Sequence, residues 1–364
     1  MCLGAIAASD AGRLAQEEKI RPIKAKYFRE EKLTPAEEEV SKRYFADRQA
    51  ESKRFAESTP PRDSLGLIPL TGLGTKKYRG EQGGLYPGGK NSPPGKHLSR
   101  GLKLAGEIKP RDREGALSED GKIVLVSIGM SNTTNSFSVF VKTAAGDSEL
   151  NPRLVVVDCA QGGRSADATA DPKAAYWRIA FERLEKAGVT RKQVQAAWVK
   201  QAVPQPFRPF PQEPRLVQTY LKETVQNLSR FFPNLKIVYL SSRTYGGYAR
   251  STLNPEPHAY EGGFAVKWLI ASQIAGDPEL NHDPAKGAVH SPWLAWGPYL
   301  WSDGLKGRAD GLTYAASDFA ADGTHPSPQG REKVSAQLLS FLKGDPTSRP
   351  WFLRQSESRT GRRE

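Results

Sequence analysis

The chain has 364 residues, 38% of them hydrophobic, with 34 Gly and 27 Pro, which suffices for one large domain with additional segments. Its net charge of +13, from 53 Lys+Arg against 40 Asp+Glu, is spread along the whole length without a basic stripe interleaved with aromatics, so a nucleic-acid module is not expected. The two cysteines, Cys2 and Cys159, exclude a disulfide framework, no Cys/His spacing suits zinc, and no apolar run approaches the ~20 residues of a membrane span, so no membrane partner is expected.

In chain order, Met1–Asp10 is apolar and rich in small residues, like the end of a secretory signal. It lacks a basic leader and is short against an apolar stretch of about 7–15 residues. Export to the periplasm or outside the cell is expected if these residues are the remainder of a signal peptide, and an ordinary frayed start fits equally well. Residues 11–57 are dense in Glu, Lys, Arg and Ala, with sparse apolar positions. They read as solvated helices, the second starting at Pro35 after Leu33-Thr34, and residues 1–57 as a whole as a charged extension serving spacing or a partner contact. Residues 58–121 are rich in Gly and Pro and read as an ordered arm over the main domain. They do not read as a phosphate loop, because Gly72-Leu73-Gly74 follows no strand and Lys90 is followed by Asn91.

From residue 122 short apolar runs alternate with helical stretches. Residues 123–128, 154–157, 194–199 and 236–240 are β-branched runs without polar alternation, as in strands buried on both faces of a parallel sheet. Helices are expected over 132–145, 173–187, 216–232, 263–274 and 329–342. The expected fold class is α/β, a doubly wound and mainly parallel three-layer sandwich over 122–345, with a helical and loop-rich N-terminal extension and a tail at 346–364.

In such a sheet ligands bind at the carboxyl ends of the strands. Ser131 stands between the first strand and the next helix, where its hydroxyl is exposed and first-turn N–H groups can receive an oxyanion, although a plain helix cap has the same sequence. Asp322 precedes His325 by three residues in the loop before the last helix, a spacing that lets the acid orient the imidazole. The other histidines, His97, His258, His282 and His290, fall in Pro/Gly-rich stretches without ligand spacing, so neither a metal nor another cofactor is expected.

Ser131 in Gly129-Met130-Ser131-Asn132, a Gly-rich turn after the second strand, and Asp322-Gly323-Thr324-His325-Pro326 together resemble the SGNH/GDSL hydrolase superfamily over residues 122–343. That resemblance implies Ser131 as nucleophile, His325 as general base and acid, and Asp322 as the residue orienting it. It further implies an oxyanion hole formed by the Ser131 N–H and by Gly162 or Gly163. The third block departs from the family pattern. The third strand ends Trp198-Val199-Lys200-Gln201, closer to the Trp-x-Gln-Gly-Glu form of sialate O-acetylesterase-like members, so Lys200 or Gln201 is the expected third donor, and a one-residue slip puts the two on opposite faces. Asn132, Arg243, Tyr245 and Glu261 are candidate substrate contacts, and Trp293–Trp301 offers rings for stacking on a sugar, against the plainer reading of core packing. The expected activity is an SGNH-type serine esterase acting on a small-molecule or carbohydrate ester, such as an O-acetyl group. The alternative is a non-catalytic carbohydrate- or partner-binding protein on the same fold. Oligomeric state is left open.

Overall fold

The computed structural model describes residues 2–355. Five parallel strands form the central sheet: β1 (Ile123–Gly129), β2 (Leu154–Asp158), β3 (Val194–Lys200), β4 (Ile237–Ser241) and β5 (Trp293–Trp296), in the order 2-1-3-4-5. Strand order reverses direction about β1, so the crevice between β1 and β3 is the switch point at which doubly wound sheets bind ligands. Four of the strands fall where the β-branched runs put them. β5 was expected only as an aromatic run, because four residues rich in tryptophan carry no alternation.

Among the described residues, eight longer helices accompany the sheet. The N-terminal pair is α1 (Cys2–Phe28) and α2 (Pro35–Ser58), followed by α3 (Gly95–Glu107), α4 (Ser131–Ala145), α5 (Ala175–Lys186), α6 (Gln212–Phe231), α7 (His258–Ala275) and α8 (Pro328–Gly344). Alternate residues of β1 supply both cores. Ile123 and Leu125 pack with Phe137 and Phe140 of α4, Leu338 of α8 and Leu104 of α3. Val124, Val126 and Ile128 face Ala180 of α5, Leu221 of α6 and Phe264 of α7. Three layers follow directly, because a strand buried on both faces needs helices on both. His97 and His258 lie in α3 and α7 rather than in loops.

The charged N-terminal segment is an antiparallel helical hairpin. Thr34 and Glu37 cap α2 reciprocally: the Glu37 N–H donates to Thr34 Oγ1 at 3.3 Å, and the Thr34 N–H donates to Glu37 Oε2 at 2.9 Å. Across the hairpin Tyr44 Oη donates to Glu17 at 2.5 Å and Arg13 pairs with Glu51 at 2.5 Å. Ile20, Ile23 and Tyr44 form a small core of their own.

The arm over 58–121 is fastened at Asp303, which is fully buried. Its carboxylate accepts from Ser64 Oγ at 2.6 Å, Leu65 N at 2.8 Å and Gly66 N at 3.0 Å. Lys267 holds the carbonyls of Gln82 and Gly83. The expected C-terminal tail is packed over its described part: Trp351 and Phe352 are fully buried, the latter stacked on Phe140 with centroids 6.4 Å apart. Residues 356–364 of that tail lie outside the described residues. Among the described residues, no helix is long and apolar enough to cross a membrane.

Replacing Asp303 strands three arm donors at once. Asp303→Ala is expected to lower the unfolding free energy by about 3 kcal/mol, read by urea denaturation, and to speed tryptic cleavage after Arg62.

Candidate active site

β1 ends at Gly129, where a side chain has no room: a Cβ there would lie 2.5 Å from the Lys200 carbonyl oxygen. Met130 then turns the chain into α4, and Ser131 is the first helical residue. The Ser131 and Asn132 N–H groups at its start have no acceptor within the helix and lie at the positive end of its dipole, whereas the Thr133 N–H donates to the Met130 carbonyl.

The facing loop precedes α8. Asp322 Oδ1 accepts from the N–H groups of Thr324 and His325, each at 2.9 Å, and Oδ2 accepts from His325 Nδ1 at 2.5 Å. A carboxylate only accepts, so the ring proton sits on Nδ1 and the lone pair of Nε2 is free to accept. Nε2 lies 2.8 Å from Ser131 Oγ. Burial pushes the Asp322 carboxyl upward, but the three donors outweigh it and hold it below its ordinary value, so it stays ionised. Gly323 makes this loop possible. It adopts φ +66°, and a Cβ there would lie 1.8 Å from the Tyr248 carbonyl oxygen. Asn132, buried beneath, donates to the Thr324 carbonyl at 3.0 Å and ties the start of α4 to the His325 loop.

Ser131 and His325 open into a cavity of about 400 Å³ that Asn132, Gly163 and Arg243 also line. Gly162 lies alongside, where a Cβ would sit 4.0 Å from Ser131 Cβ. Arg243 is buried and its Nε has no partner among the described residues. Burial lowers its guanidinium to about 10, against the opposing pull of Glu256 and Asp322.

Four predicted residues lie elsewhere. Lys200 is buried outside the cavity wall, and burial together with the Arg243 charge pushes its ammonium well below the ordinary value. Gln201, on the opposite face as strand parity requires, donates to the Arg164 carbonyl at 3.2 Å and Thr169 Oγ1 at 3.3 Å. Tyr245 and Glu261 fasten the arm: Tyr245 Oη donates to the Arg62 carbonyl at 2.8 Å, and Glu261 accepts from Tyr78 Oη at 2.7 Å. The tryptophans of 293–301 are buried and present no stacking surface, since Trp293, Trp296 and Trp301 spend their indole N–H groups on His97, Leu85 and Glu256.

Sequence reasoning missed the cavity's outer wall. It is made by Ile20, Ile23, Tyr27 and Phe28 of α1 with Tyr44 and Phe45 of α2, residues read as a solvated spacer. Their spacing along α1, at i, i+3, i+7 and i+8, was the available signal.

No family model matches the sequence, and neither does any curated protein. Solved structures similar to the chain include the Bacillus subtilis protein YxiM (TM-score 0.36, 10% identity), a match spanning 61% of this chain and 56% of that one. A Bacteroides fragilis NCTC 9343 protein assigned to the acylhydrolases is similar at TM-score 0.33 and 14% identity, over 68% of this chain and 96% of its own. The periplasmic domain of a lipopolysaccharide acetyltransferase from Salmonella ser. Paratyphi A is similar at TM-score 0.30 and 13% identity, over 68% and 94%. The chemistry of the site is therefore read from its own geometry.

Beside the site, His258 borders a second, smaller cavity. Burial, then the charges of Arg13 and Arg79, lower its imidazole from 6.5 to about 4. It is neutral in the native state and protonates near 6.5 when unfolded, so the stability it contributes is complete above pH 6.5 and is lost as pH falls toward 4. The urea midpoint of His258→Gln is expected to fall less steeply than that of the wild type across this window.

Proposed function

We propose that the chain is an SGNH-type serine hydrolase that cleaves carboxylic esters through an acyl-enzyme. The observation that carries this reading is the unbroken relay from Asp322 through His325 to Ser131 Oγ, at 2.5 and 2.8 Å. A helix cap has no use for an imidazole on its hydroxyl, whereas a nucleophile needs one. Residues 58–121 do not line the cavity, so the arm leaves the serine accessible, which favours the enzyme over a binding protein that kept the fold.

In this mechanism Ser131 Oγ attacks the ester carbonyl carbon while its proton passes to His325 Nε2. The ionised Asp322 holds the ring in the accepting tautomer and stabilises the imidazolium that forms. The tetrahedral oxyanion faces the first-turn N–H of Ser131 and that of Gly162 or Gly163, with the buried Arg243 adding positive potential to the same cavity. Collapse breaks the carbon–oxygen bond to the alcohol, which leaves with the proton from His325. Water then attacks the acyl-enzyme, delivers its proton to His325, and the acid departs as Ser131 Oγ is reprotonated. No metal or organic cofactor enters this scheme. Lys200 and Gln201 are given no role in it, and neither are Tyr245 and Glu261.

Purified protein is expected to react with a fluorophosphonate probe and to hydrolyse p-nitrophenyl esters. Ser131→Ala should abolish labelling, His325→Ala should lower kcat/KM by about 10³-fold or more, and Asp322→Asn by about 10²–10⁴-fold with the fold intact by circular dichroism. A folded wild-type protein that neither labels nor turns over would overturn the reading.

A further inference from the structure

The proposed reaction needs only the relay and an oxyanion site, yet the structure places a clamped helical roof over them. The α1–α2 hairpin spans the sheet's carboxyl edge and is fastened on both sides. Arg29 pairs with Asp171 at 2.6 Å and Glu30 with Arg178 at 2.9 Å, beyond the end of β2. On the far side Ser52 Oγ meets Thr252 Oγ1 at 2.7 Å, in the loop after β4. Arg164 lies over the rings of Tyr27 and Phe28, 5.2 and 5.6 Å from their centroids.

The hairpin lines the cavity mainly with apolar side chains. Ile20, Ile23, Phe28 and Tyr44 are buried there, the rings of Tyr27 and Phe45 are more than half exposed, and Lys24 and Ser41 are its two polar contributions. The floor beside Ser131 adds Met130, Val203 and Leu253. An otherwise charged hairpin therefore concentrates its large apolar side chains on the cavity. An acetyl group fills a small part of about 400 Å³ and leaves most of the lining untouched. A cavity of ~150 Å³ accommodates benzene, so this one holds a chain of roughly eight carbons together with part of the alcohol.

We infer that the α1–α2 hairpin forms the acyl-chain site of the enzyme, and that its substrates are esters of medium-length, unbranched fatty acids rather than acetyl esters of sugars. The inference rests on the reading of Ser131 as the nucleophile. Each methylene taken from water onto the wall should raise kcat/KM by about fourfold until the cavity is full, on the order of 100-fold between butanoate and octanoate.

The test is a p-nitrophenyl series from acetate to dodecanoate, run beside a series of n-alkyl acetates that lengthens the alcohol instead. The expected result is a rise in kcat/KM to a maximum near octanoate in the first series and no comparable rise in the second. Ile23→Trp, which fills the wall, and Ile23→Thr, which makes it polar and one heavy atom smaller, should each lower the octanoate-to-acetate ratio at least tenfold. Thermal melting of both variants establishes that they are folded. A flat or acetate-favouring profile, a preference confined to the alcohol series, or an unchanged ratio in two folded variants would each overturn the inference while leaving the hydrolase reading intact. Should no ester be cleaved and no fluorophosphonate bind, the hydrolase reading fails by itself. Calorimetry of octanoate and acetate with the full chain then decides the site separately: octanoate binding weakened by Ile23→Trp supports it, and absence of octanoate binding removes it.

Discussion

Ser131 and His325 are 194 residues apart in sequence and 2.8 Å apart in space, and the parallel sheet closes that gap. A parallel sheet delivers every strand's carboxyl end to the same edge, so the turn after β1 and the loop before α8 meet wherever α4 and α8 pack side by side. They do so through Phe137, Phe140 and Leu338 in one continuous core. The hydrogen bond from Asn132 to the Thr324 carbonyl then fixes the last few tenths of an ångström. Removing Thr324's carbonyl from that bond would leave two halves of the site correctly folded and wrongly spaced.

The charges around the edge follow from the same geometry. Lys200 and Arg243 end adjacent regions of the sheet, and both are buried; burial, then the Arg243 charge, lowers the Lys200 ammonium. Glu256, half-buried, is raised to about 7 by desolvation despite accepting from Trp301 Nε1 and the N–H groups of Gly246 and Tyr260. Enclosure thus drives Lys200 and Glu256 alike toward their neutral forms, while Arg243, lowered only to about 10, keeps its charge on the cavity wall.

The parallel sheet and its helices were legible because period and composition agree: Ile123–Ile128 has no polar alternation, and only a strand covered on both sides permits that. Ser131 was legible because it sits at a strand-to-helix junction, and Asp322 and His325 because an acid three residues before a histidine in the loop ahead of a helix can reach its ring. Lys200 and Gln201 were ambiguous for the opposite reason. Successive residues of a strand face opposite layers, and the sequence does not reveal which layer holds the cavity. Tyr245 and Glu261 occupy loops whose course is decided by the arm they bind. The roof was hidden by averaging, since Ile20, Ile23 and Tyr27 lie among Lys19, Arg21 and Lys24, so the helix reads as polar although one stripe of it is not.

The hairpin's fastening points have a consequence for synthesis. α1 and α2 are made before the segments that hold them: Asp171, Thr252 and Asp303, which fasten them and the following arm, come 142 to 239 residues after their partners. At ~5–20 residues per second the hairpin waits many seconds with its apolar stripe unhoused. Dense surface charge and the Arg13–Glu51 and Lys26–Glu37 pairs within it are features that favour solubility in the interval. The composition that disguises the roof in the sequence is thus also what carries it safely to the moment when a site exists for it to cover.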